Sequence, residues 1–254
     1  MSSSSLNIVT WNITGLLSNV SYLSDLLNEG RIDIIGICEH WLYPHNMHFL
    51  NDYNFHAVCD KDLNINRAAV GTGGVSLMWN KKLDDLVTPL SIDDDHIVGI
   101  QLQLCSNQYI YIYLKCILPC VNHKINVFNE YIDKLYDLYY SYCDKGIPLF
   151  MGDFNAKVNT QPMTSRDKRL VKFLSDCNLC AVNLLNDCCG PQDIHRPVLC
   201  CMNVQFDNEC ASDKSSALST GINWKKVNDA NIKLYHIMLL NDDGLTNSKH
   251  CSLD

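Results

Sequence analysis

The chain predicts an α/β fold, and three observations carry that prediction. A strand, a helix and a second strand open it, apolar β-branched runs recur through its middle, and the run Ile147-Pro148-Leu149-Phe150-Met151 ends abruptly in the polar Gly152-Asp153-Phe154-Asn155. The segment Leu6-Asn7-Ile8-Val9-Thr10-Trp11-Asn12-Ile13-Thr14-Gly15-Leu16 reads as a strand that delivers Asn12 and breaks at Gly15. Ser18 or Asn19 caps a helix in which Val20, Leu23, Leu26 and Leu27 recur at helical spacing before Gly30 stops it. The run Ile32-Asp33-Ile34-Ile35-Gly36-Ile37-Cys38, apolar on both faces, forms the second strand and ends on Glu39. Further strands are expected at Gly73 to Trp79, His96 to Leu102 and Tyr109 to Leu118. Phe128, Tyr131, Ile132, Leu135, Leu138 and Tyr139 make the stripe of a core-facing helix. Ser2 to Ser5 reads as a frayed terminus.

A buried strand that ends in Gly-Asp-x-Asn lifts a carboxylate and a carboxamide out of the core, where they can hold a hard cation and a phosphate. Asp and Asn after a strand also serve as an ordinary Asx turn, and Glu39 alone reads equally well as a solvated strand end. Three such junctions in order change the balance. The carboxyl ends of neighbouring strands share one rim of a sheet, so Asn12, Glu39, Asp153 and Asn155 are expected to face one pocket.

Composition bounds what that pocket serves. A chain of 254 residues that is 47% hydrophobic can bury one sizeable core, and no apolar run approaches bilayer-spanning length. Its 14 cysteines, with no secretory segment opening the chain, read as free thiols in a reducing compartment, nuclear or cytoplasmic. Cys177-x-x-Cys180 with Cys188, Cys189, Cys200 and Cys201 has a zinc-like spacing, but its apolar setting favours core thiols. His40, His45 and His48 read as loop decoration. A formal charge of −8 excludes a strongly basic nucleic-acid binder, which leaves local contacts from Lys81-Lys82, from Arg166 to Arg169 with Lys172, and from Lys225-Lys226.

Taken in order, Trp11-Asn12-x-x-Gly15, Cys38-Glu39-x-Trp41-Leu42, Gly71-x-Gly73-Gly74-Val75 and Gly152-Asp153-Phe154-Asn155 resemble the endonuclease/exonuclease/phosphatase superfamily. Within it the likeness is to the apurinic-type endonuclease domain of non-LTR, LINE-like retrotransposons, and it runs from about residue 6 to about residue 201. Arg169-Leu170-x-x-Phe173-Leu174, then Asn178-Leu179 and Val182-Asn183, resemble the helix and strand that follow the Asp-Asn pair. The resemblance implies a four-layered α/β sandwich of two packed mixed sheets. It further implies Mg²⁺, or Mn²⁺ in its place, on Glu39 with Asn12 beside it. Asp153 is implied to orient or deprotonate water, Asn155 and Asn12 to contact the phosphate, and His195 to stabilise the charge that develops there. The implied partner is DNA, bound weakly and salt-sensitively.

The same comparison exposes departures. Ile117 replaces the tyrosine of a strand-ending Tyr-x-Pro, and Ile194 stands where an aspartate should pair with His195. Asp193 is the candidate substitute, although a one-residue offset in an extended segment turns its side chain away. Only Asn186 to Ile194 remain of an interval that in the family holds further strands and another aspartate, so the C-terminal part of the sandwich is expected to be incomplete. The domain is accordingly placed at 1–202, shortened after about 185, with 203–254 a polar linker and short helical tail, detached from any polymerase. Three functions follow: a Mg²⁺-dependent endonuclease, weak or inactive in this copy; a non-catalytic remnant that keeps the fold; and a phosphatase or phosphodiesterase on small or lipid-linked phosphates.

Overall fold

Eleven strands and three α-helices are present in the computed structural model, which describes residues 3–30, 32–43, 53–59, 73–104, 107–117, 125–158, 161–181, 198–205 and 236–241. They are β1 (Ser3–Asn12), α1 (Val20–Gly30), β2 (Ile34–Cys38), β3 (Tyr53–Val58), β4 (Val75–Asn80), β5 (Val87–Leu90), β6 (Ile97–Gln103), β7 (Tyr109–Cys116), α2 (Ile125–Tyr142), β8 (Ile147–Asp153), α3 (Ser165–Asp176), β9 (Leu179–Ala181), β10 (Val198–Gln205) and β11 (His236–Asn241). Two mixed sheets result, one ordered β10-β1-β2-β4-β3 and the other β5-β6-β7-β8-β11-β9. The parallel β1–β2 pair is joined through α1 and the parallel β7–β8 pair through α2, as a crossover between parallel strands requires.

Strand alternation assigns each side chain to a layer. In β2, Ile34 and Cys38 face the second sheet while Ile35 and Ile37 face α1, and all four are fully buried. In β7, Ile110, Ile112, Leu114 and Cys116 point between the sheets, whereas Tyr111 and Tyr113 point to α2 and α3. In β8, Leu149 and Met151 face inward and Phe150 outward, where it meets Tyr113 and Phe173 at ring separations of 5.2 and 5.6 Å. The layers are therefore α1, first sheet, second sheet, and α2 with α3, which is the four-layered sandwich expected. Each of these fully buried aliphatic side chains contributes about 1.5–3 kcal/mol. The sheets approach closely at Gly36, where an added Cβ would lie 2.6 Å from Met151 and 2.7 Å from Leu114.

Three readings change. Ser3, Ser4 and Ser5, expected to fray, extend β1 and pair with Gln205, Val204 and Asn203 of β10, so the strand also runs into the segment expected to be linker. β3 and β5 are not legible as strands because Asn54 and His56 interrupt the one and Pro89 the other; β5 lies at a sheet edge, where proline is tolerated. Residues 236–241 form β11, inserted between β8 and β9 and parallel to both, rather than part of a helical tail. The short helix expected in the tail from Asn223 to Tyr235 falls outside the described residues. Among the described residues, no helix is long and apolar enough to cross a membrane.

Candidate functional site

Asn12, Glu39, Asp153 and Asn155 come together, although not on the rim of one sheet. Asn12 ends β1 and Glu39 follows β2 in the first sheet, while Asp153 ends β8 in the second. The group therefore spans the gap between the sheets. One nitrogen joins them: Asn12 Nδ2 donates to Glu39 Oε1 at 3.0 Å and to Asp153 Oδ2 at 2.9 Å. The two carboxylate oxygens thus lie no farther apart than the sum of those distances. Asn12 and Asp153 are each 1% exposed, and Glu39 is half-buried. Thr14, at φ 46°, turns back to donate from its amide and hydroxyl to Asn12 Oδ1 at 3.3 and 3.4 Å, which orients the amide so that its NH₂ meets the acids.

Asp153 is held from its other side as well. Oδ1 accepts from the Asn155 amide at 3.0 Å and from Asn155 Nδ2 at 3.0 Å. Asn155 Nδ2 also donates to Ile117 O at 2.8 Å, so the amide that the resemblance assigns to a phosphate oxygen is occupied with Asp153 and with the residue that follows β7. Gly152 makes this junction possible. Its φ of 131° is foreign to residues with a side chain, and a Cβ there would sit 1.9 Å from Lys115 O. Ile117 is 1% exposed and packs with the aromatic layer under α2 and α3, yet its amide still donates to Asp153 O at 2.7 Å.

His40 is the residue that reading the sequence misplaces. It is 1% exposed rather than loop decoration, and burial pushes its imidazole down to about 4, leaving it neutral. Its position directly after Glu39 was the available signal. His45 and His48 lie outside the described residues, as do His195, Asp193 and Ile194.

The surrounding titratable groups serve structure. Cys116 is hydrogen-bonded to Cys38 between the sheets; that bond, burial and the nearby carboxylates of Asp153 and Glu39 all push its thiol up, so it stays protonated. Lys115 points to the opposite face, 3.4 Å from Asp94 and with its ammonium 3.9 Å from the Tyr131 ring centroid; burial pulls it down to about 8 while Asp94 works against that. Cys177 and Cys180 are free thiols on the second-sheet side, Cys177 pushed up to about 12 by burial, whereas Cys200 and Cys201 lie in β10 of the first sheet. Several basic residues are engaged locally: Lys82 with Asp33 at 2.5 Å, Lys172 with Asp176 at 2.8 Å, Arg169 with Asp133, and Arg166 buried 5.0 Å from the Phe128 ring centroid.

The Glu39 and Asp153 carboxylates supply hard oxygen ligands of the kind a small divalent cation takes one or two of while keeping several waters, whereas the Asn12 amide turns its NH₂ donor toward them. Among the described residues no three His, Cys, Asp or Glu side chains are grouped as a metal cage.

Two mixed sheets packed face to face, flanked by helices and gathering amides and acids across one end, define an α/β sandwich of the nuclease and phosphatase type. The sequence profile of the Endonuclease/Exonuclease/phosphatase family matches residues 9–193, and the chain belongs to that family. Its fold is similar to the endonuclease domain of TRAS1, a telomere-specific non-LTR retrotransposon, with 15% identity over 68% of this chain and 73% of that one and a TM-score of 0.51. It is also similar to a 3′-5′ exonuclease from Neisseria meningitidis, with 14% identity, coverage of 68% and 71%, and a TM-score of 0.51. An AP endonuclease from Leishmania major shares 11% identity over 68% of this chain and 67% of its own, with a TM-score of 0.52. No curated protein sequence matches the chain.

Proposed function

We propose that this chain is a Mg²⁺-dependent phosphodiesterase of the DNA endonuclease kind, derived from a retrotransposon and slow in turnover. The observation that carries the reading is the single Asn12 amide that bridges Glu39 and Asp153 from opposite sheets. Such an arrangement costs stability without a cation to share the charge, so it points to one being bound. Glu39 would hold the ion with Asn12 beside it, Mg²⁺ being preferred and Mn²⁺ tolerated; bound there, it would supply neutralisation of charge on the phosphoryl oxygens. Asp153, fixed as an acceptor by three N–H groups, orients a water and takes its proton. Asn155 reaches a phosphate oxygen only by releasing Asp153 or Ile117, which makes steadying Asp153 its first role. His195 is assigned the developing phosphoryl charge, with Asp193 as its substitute partner.

The DNA partner follows from the family and from the nuclease neighbours. With a net charge of −8 and several basic side chains engaged in local pairs, that binding is weak and salt-sensitive. The buried apolar Ile117 favours a second reading, a remnant that keeps the fold without turnover. Incubating supercoiled plasmid with the protein in Mg²⁺ and in EDTA, beside Asp153→Ala, separates the two. Nicking that needs both metal and Asp153 supports the enzyme. Absence of nicking supports the remnant, and phosphate release from a small phosphoester without nicking moves the assignment to a phosphatase.

A further inference from the structure

The turn that presents Glu39 is strained and carries no glycine. Glu39 has φ 55° and Trp41 φ 54°, both left-handed, on either side of His40. Such conformations are costly for residues other than glycine and persist only where their surroundings over-determine them. Backbone bonds supply part of that restraint: Gly15 N donates to Glu39 O at 2.9 Å, Leu16 N to His40 O at 3.0 Å and Trp41 N to Gly73 O at 3.0 Å. The imidazole supplies the rest. Nδ1 accepts from Leu42 N at 3.0 Å, which leaves Nε2 to carry the proton and donate to Val58 O at 3.1 Å. The ring therefore ties the end of β3 to the turn after β2. Its face lies against Gly74, where an added Cβ would come within 2.3 Å of the ring, so no larger residue fits there without displacing it.

We propose that His40 is a positioning residue for the proposed cation site: its ring, bonded to Leu42 N and Val58 O, locks the left-handed turn that aims the Glu39 carboxylate at Asn12. The inference rests on Glu39 holding the ion, so the experiment tests both and tells them apart. Mg²⁺ alone is titrated calorimetrically into the full-length wild type, Glu39→Gln, His40→Leu, His40→Asn and Gly74→Ala, with melting temperatures recorded in EDTA. His40→Leu and Gly74→Ala are expected to weaken Mg²⁺ binding about ten- to a hundredfold, the range for residues that orient a metal ligand. His40→Asn, whose side-chain oxygen can accept from Leu42 N, is expected to recover part of that loss. Gly74→Ala keeps the imidazole but pushes it from its seat and, with Gly74 at φ 84°, also strains the backbone, so His40→Asn, which alters neither, keeps the test valid should the other two fold poorly. If Glu39→Gln weakens binding while both His40→Leu and Gly74→Ala bind as the wild type does, His40 is merely structural and the inference is overturned. If Glu39→Gln binds like the wild type, the cation reading itself falls and takes the inference with it.

Discussion

Asn12 is asked to satisfy two acids with one NH₂ group, and that burden makes it a sensitive probe of the site. Asn12→Asp replaces the donor with a third negative charge in a nearly closed space, which like-charge repulsion opposes. In EDTA this variant should lose about 1–3 kcal/mol relative to the wild type, the cost of leaving buried acceptors unpaired. Millimolar Mg²⁺ should return more stability to the variant than to the wild type, because a ligand that binds only the folded state stabilises it by mass action. Urea titrations with and without Mg²⁺ measure both effects, and a variant indifferent to Mg²⁺ would remove the cation from the site. Asn12, Glu39, Asp153 and Asn155 were legible because each sits where an apolar run stops. That they would meet across two sheets was not, since periodicity reports which face a residue takes and not which sheet it joins. His40 was illegible for a related reason: a histidine after a strand looks solvated until the opposing Gly74 and Val58 are known to bury it. Gly152 carries a sharper consequence. With φ 131° and Lys115 O in the place of a side chain, Gly152→Ala should cost more than about 3 kcal/mol in denaturant titration, and near-neutral behaviour would mean that the β8 terminus differs from the one described.

α3 shows how an element is fixed close to the site without touching it. Thr164 caps it by accepting from Asp167 N at 3.2 Å, while the Asp167 carboxylate accepts from Thr164 N at 2.7 Å and from Lys157 N at 2.7 Å. One side chain thus closes the helix and anchors the loop that leaves Asn155. Burial raises the Asp167 carboxyl, but the Lys157 and Thr164 donors outweigh it and leave it below its ordinary 3.8. A carboxyl depressed in the folded state contributes stability above its unfolded value that is lost as pH falls through the folded one. Asp167→Ala should therefore cost about 1–2 kcal/mol near neutrality, with the gap to wild type narrowing below pH 3.8. Unfolding midpoints across that range check it, and a gap constant down to strong acid would show that the loss is packing rather than charge. The capping box stands in the sequence as Thr164-x-x-Asp167, a readable helix start that a search for apolar periodicity alone passes over. By contrast α1 and α2 were legible from the single apolar stripe each buries, and the strands β2, β4, β6, β7 and β8 from side chains that fill apolar layers on both faces of a sheet.

At the scale of the molecule, the shortened interval before His195 poses the question of how the second sheet closes. The answer lies in β11. It pairs in parallel with β8 from Ile237 opposite Leu149 to Asn241 opposite Asp153, and with β9 from His236 opposite Leu179 to Met238 opposite Ala181. Among the described strands β9 has no other partner, so β11 alone joins it to the sheet. Local sequence does not announce this, because a strand's place in a sheet is set by pairing with residues far along the chain. A chain ended at Gln205 would keep every residue of the Asn12, Glu39 and Asp153 cluster yet leave one side of β8 and the whole of β9 unpaired. Orphaned strand edges lose their ladder hydrogen bonds and become templates for association. Such a truncation should lose more than about 3 kcal/mol, a large share of the roughly 5–15 kcal/mol that holds a domain together, and should associate in solution. A peptide covering residues 232–245, added in trans, should restore part of the urea midpoint by adding a strand in the vacated place. A truncated chain that unfolds at the wild-type midpoint and remains monomeric would show instead that the C-terminal segment is dispensable, and that β8 is completed by other means.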